Sequence, residues 1–86
     1  MTALAQTRPV PRPLPGAMPE PRTPGAVWVA WGESYSLQRG QSVLARIVID
    51  GDDIVRTTTQ RMPLMLAHHV CADVAAVQSW LARGGR

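Results

Sequence analysis

Apolar residues recur along this chain with two different periods. Ala26 to Trp31, Val43 to Ile49 and Ile54 to Thr59 are short runs rich in β-branched and aromatic side chains, the pattern of strands. From Pro63 to Arg83 the spacing changes. Leu66, Val70, Val74, Val77 and Leu81 fall at offsets of 0, 4, 8, 11 and 15, which at ~100° per residue keeps them on one narrow helical stripe. Pro63 in the first turn and Gly84-Gly85 just past the end bracket that helix. The stretch Leu64 to Cys71 also admits a strand, followed by a shorter helix capped by Asp73.

Asp50-Gly51-Asp52-Asp53, between two β-rich runs, is the strongest hairpin signal in the chain. Gly32-Glu33-Ser34 and Arg39-Gly40-Gln41-Ser42 form a polar loop rich in turn formers, and Tyr35-Ser36-Leu37 between them can extend a strand. The expected fold class is α+β: a small antiparallel three-stranded sheet (βββα) packed on one C-terminal helix.

Alternation separates the sheet faces. Val43, Ala45, Ile47 and Ile49 point one way, and Leu44, Arg46 and Val48 the other; Ile54, Arg56 and Thr58 oppose Val55, Thr57 and Thr59. One helix covers one face of a small sheet, so Leu44, Val48 and Val55 are expected to lack intramolecular cover. Trp28 and Trp31 differ in parity, which puts at least one of them on that face. Together these side chains make an apolar patch larger than a monomer usually leaves exposed.

Composition divides the chain in two. Seven of its eight prolines precede Gly25, and Arg8 to Pro15 carries proline at every second position. Such a segment is a stiff, extended polyproline II arm with a rise of ~3.1 Å per residue. A period of two spreads proline around every face of a three-fold helix. PxxP, the pattern that groove-binding domains take, occurs only at Pro21-Arg22-Thr23-Pro24. The expected organisation is a Pro-rich extended arm, residues 1–25, and a small α+β domain, residues 26–86. The arm is either a solvated spacer or a strap along a partner, another copy or its own sheet.

A body of about 60 residues is marginally stable alone. The single Cys71 excludes a disulfide framework and any multi-cysteine zinc site. All nine basic residues are Arg, and Lys, Asn and Phe are absent; this bias is that of GC-rich coding, in a bacterium or its phage. The net charge of +3 leaves only +1 in the body once the arm's Arg8, Arg12, Arg22 and Glu20 are set aside. Little is then left for phosphate neutralisation. The start Met1-Thr2-Ala3-Leu4-Ala5 lacks the features of a secretory signal, and His68, His69 and Asp73 interrupt the most apolar segment, so the expected location is cytoplasmic.

Chemistry is sparse. His68, His69, Cys71 and Asp73 span more than a third of a helix circumference and do not converge on a metal. His69 and Asp73 are an i,i+4 pair, and Cys71, among alanines and valines, is expected to turn toward the core as a small hydrophobe. No phosphate loop, nucleophile motif or convergent acid pair is present, so no catalytic, cofactor or metal residues are expected. Met65, His68, His69, Ala72, Asp73, Ala76 and Ser79 form the opposite helix stripe, with Trp80 at its edge either serving an interface or folded back onto the core.

The function expected is a small non-enzymatic protein-protein interaction module, an accessory or inhibitor protein, that binds a partner or itself through a sheet face or edge and the arm. Candidate contact residues are Trp28, Trp31, Tyr35, Leu44, Val48, Val55, His69 and Trp80, with Arg8 and Arg12 from the arm. The alternatives are a nucleic-acid-binding domain of a mobile-element protein, using Arg46, Arg56, Thr57 and Thr59, and a small virion or assembly component.

Overall fold

The computed structural model describes residues 11–51, 53–57 and 61–85. Its centre is an antiparallel meander of four strands, β2 (Ala26–Trp31), β3 (Ser34–Arg39), β4 (Ser42–Asp50) and β5 (Asp53–Thr57), to which the arm adds a two-residue strand, β1 (Pro11–Arg12), beside β2. The helix α1 (Leu64–Ala82) closes one face, packing chiefly on β4 and β5.

The expectation of three body strands is corrected to four. Ser34 to Arg39 is a full strand at the middle of the sheet, because glycines at both ends make it so. Trp31 pairs with Ser34 across Gly32-Glu33, and Arg39 pairs with Ser42 across Gly40-Gln41. Gly32 and Gly40 have φ of 54° and 62°, the positive values that two-residue hairpin loops demand at their first position. Ser34 locks the first of these turns by donating its hydroxyl to the Trp31 carbonyl at 2.8 Å. The hairpin expected at Asp50-Gly51 forms, with Asp50 paired to Asp53 and Gly51 at φ 64°.

Parity along β4 is broken once. Leu37 pairs with Ala45 while Gln38 pairs with Val43, so Leu44 is the extra residue of a β-bulge. Leu44 therefore turns to the helix side together with Ala45, and both are buried. The placement of Leu44 on the uncovered face is thus corrected.

The core lies between this side of the sheet and α1. Trp28, Ala30, Tyr35, Leu37, Leu44, Ala45 and Ile47 from the strands meet Val70, Val74, Val77 and Trp80 from the helix, with Leu66 and Leu81 half-buried at its ends. The helix therefore runs close to the span its stripe predicts, and Leu64 to Cys71 is helical. Tyr35 and Trp80 meet edge to face, with ring centroids 6.3 Å apart. The helix ends in a Schellman motif: Gly85 N–H donates to the Trp80 carbonyl and Gly84 N–H to that of Leu81, with Gly84 at φ 81°. Gly85 is held so closely against Trp80 that a Cβ there would enter the indole ring.

Candidate functional site: an open sheet face and a latched arm

Two features of the fold bear on function, and the first is the sheet face opposite α1. The strand register brings Val27, Val29 and Trp31 of β2, Val48 of β4 and Val55 of β5 to this side, around Ser36 of β3. Val27 and Val55 are 57% and 44% exposed, and Val29, Trp31 and Val48 are half-buried. Crowded between its neighbours, Ser36 is fully buried, and its hydroxyl has no hydrogen-bond partner among the described residues. Arg46, Asp50 and Asp53 share the face, Asp50 and Asp53 directly across from each other.

The second feature joins the arm to the helix. After β1, the chain turns at Pro15 to Met18, where Met18 N–H donates to the Pro15 carbonyl at 3.1 Å, and Met18 is buried in the core. The chain then reaches α1, where the buried Asp73 carboxylate accepts the Arg22 N–H at 2.6 Å, the Thr23 N–H at 2.9 Å and the Thr23 hydroxyl at 2.5 Å. A buried carboxylate needs such donors. Asp73 thus holds the arm, not His69.

The residues named as contacts are distributed unevenly. Trp31, Val48 and Val55 lie on the open face. Trp28, Tyr35, Leu44 and Trp80 are in the core: Trp28 and Tyr35 by strand parity, Leu44 by the bulge, and Trp80 by folding back onto Tyr35. His69 is half-buried on α1. Arg12 contributes its backbone to β1, and Arg8 lies outside the described residues, as do Thr58 and Thr59. The expectation that Cys71 faces the core is corrected. It is exposed, and Arg56 Nη1 donates to its sulfur at 3.7 Å, because Arg56 falls on the helix side of the edge strand. Met18 and Thr23 lie past the Arg8 to Pro15 segment expected to be polyproline; the sequence pattern assigns Met18 no role there, and Thr23 only a place in Pro21-Arg22-Thr23-Pro24.

One cleft, of about 630 Å³, is lined by Tyr35, Glu33, Ile49, Ile54, Leu81 and glycines of two hairpin turns and the helix end. Among its described lining residues Glu33 is the one carboxylate, and none is His or Arg. Among the described residues, no group of three or more His, Cys, Asp or Glu side chains could hold a metal ion. No described helix is long and apolar enough to cross a membrane. Comparison with family models, with curated proteins and with solved structures finds no match for this chain.

Proposed function

We propose that this protein is a non-enzymatic interaction module that presents its open sheet face to a protein surface. The observation that carries this reading is the band of Val27, Val29, Trp31, Val48 and Val55 opposite the helix, with Val27 and Val55 well exposed. An apolar band across a sheet face, with charges on the same face, has the composition of an interface core and rim. The pairing of β1 with β2 supports a share for the arm, since it shields one sheet edge while β5 remains an open one.

Nucleic-acid binding has less support. Of the arginines proposed for it, Arg46 lies on the open face, which also carries Asp50 and Asp53, whereas Arg56 points to the helix side, so these two arginines do not share one surface.

A photo-crosslinking residue at Val55 of the full chain, expressed in its native host, tests the proposal. It should yield discrete protein adducts, while the same residue at Met65, exposed on the helix, should not. Equal labelling from both positions, or nuclease-sensitive adducts at Val55, would overturn it.

A further inference from the structure

The strand register carries the reading one step further. Trp31 pairs with Ser34, Ser34 with Val48 and Val48 with Val55, so these four residues form one straight row across the open face, perpendicular to the strands. Three are apolar, and the fourth is small enough to let an opposing surface approach. The rows on either side differ in charge. On one side lie Arg46 and its partner Thr57; on the other lie Asp50 and its partner Asp53. The two carboxylates sit directly opposite each other, a destabilising arrangement that calls for a cation. No hydrogen bond or ion pair joins Arg46, Asp50 or Asp53 to another described side chain.

We infer that the occupant of this face is a second copy of the same chain, related by a twofold axis along the Trp31–Val48–Val55 row. This deepens the interaction reading above and rests on it. A twofold axis lying in the interface along that row reverses the strand direction and preserves strand order. It stacks Trp31, Val48 and Val55 each on its own counterpart, and the +2 and −2 rows exchange places, so Arg46 of each copy faces Asp50 of the other. The interface is isologous and closed.

The dimensions agree. Packed sheets lie about 10 Å apart and cross at about 30°. Arg46 and Asp50 each lie two residues from Val48, or about 7 Å along the strand. A 30° crossing displaces such positions laterally by only about 3 to 4 Å, within the sweep of an arginine side chain. Each Arg46 thus reaches the partner's Asp50, and the carboxylate pair at each hairpin gains its cation.

Sedimentation equilibrium on the full chain tests the arrangement. The wild type should be a dimer. Arg46→Asp and Asp50→Arg should each weaken it by about ten-fold or more through like-charge contact, and the combined R46D/D50R chain should recover most of the loss. Both residues are exposed, and unchanged circular dichroism at low temperature would confirm that folding is intact. Val48→Arg, on the axis, should abolish the dimer. A monomer at all concentrations, or charge reversals that have no effect or fail to compensate each other, would overturn the inference. If the chain is monomeric but Val55 still crosslinks to a different protein, the interaction reading survives and only self-pairing falls; if neither occurs, both fall.

Discussion

Replacing Asp73 by alanine tests whether the arm is part of the folded unit. The substitution strands the amide of Arg22 and both the amide and hydroxyl of Thr23, the last two in a buried setting. Stranded buried donors cost about 1 to 3 kcal/mol each. The arm can escape that penalty by leaving α1, but it then withdraws Met18 from the core, where burial of such a side chain contributes about 1.5 to 3 kcal/mol. The chain takes the cheaper route, so the expected loss is about 1.5 to 3 kcal/mol, or roughly 6 to 24 °C in melting temperature for a domain of this size. Urea unfolding followed by tryptophan fluorescence measures the loss, and hydrogen exchange at Arg22 and Thr23 reports the latch directly. Thr23→Val keeps the two amide bonds and should lose about 1 kcal/mol; Thr23→Ser should lose less. If Asp73→Ala stays within about 0.5 kcal/mol of wild type, or if the Arg22 and Thr23 amides exchange freely in the native chain, the latch does not hold the arm.

Further substitutions probe the helix end, the bulge and the open face. Gly85→Ala drives a methyl into the Trp80 ring and should destabilise by about 1 to 3 kcal/mol, with altered tryptophan emission in the folded state. Leu44→Ala should cost about 2 to 5 kcal/mol in denaturant melts as a core truncation, whereas Ser42→Ala, two residues earlier on the same strand and exposed, should stay within about 0.5 kcal/mol; equal effects would mean that the bulge is misplaced. Ser36→Ala removes a buried hydroxyl without a described partner, so calorimetry should show no loss, or a gain of up to about 1 kcal/mol.

Local patterns with a fixed period were legible in the sequence. The helix stripe from Leu66 to Leu81, its Gly84-Gly85 terminus and the Asp50-Gly51 hairpin all follow from neighbours a few residues apart. β3 was underweighted because Ser34, Ser36, Gln38 and Arg39 make it polar, although Tyr35 and Leu37 alternate correctly between two glycine turns. The open face was legible in part. Val48, Val55 and Trp31 follow from parity, but a single bulge sent Leu44 to the other side, and a bulge leaves no period to detect. The latch between Thr23 and Asp73 was invisible because it joins residues fifty apart, and proximity at that range is a property of the whole fold.

The order of the strands also bears on how the chain reaches and leaves this state. Each strand from β2 to β5 pairs with its immediate successor through a tight turn, so the meander can zip from local contacts at little loop-closure cost. The arm joins by a far longer closure, which places it late in folding and early in unfolding. Opening of the latch is therefore expected as a sub-global event that leaves the four-strand meander and helix paired. The protein would then alternate between two closed-core species, one strapped and one with its arm free to be grasped.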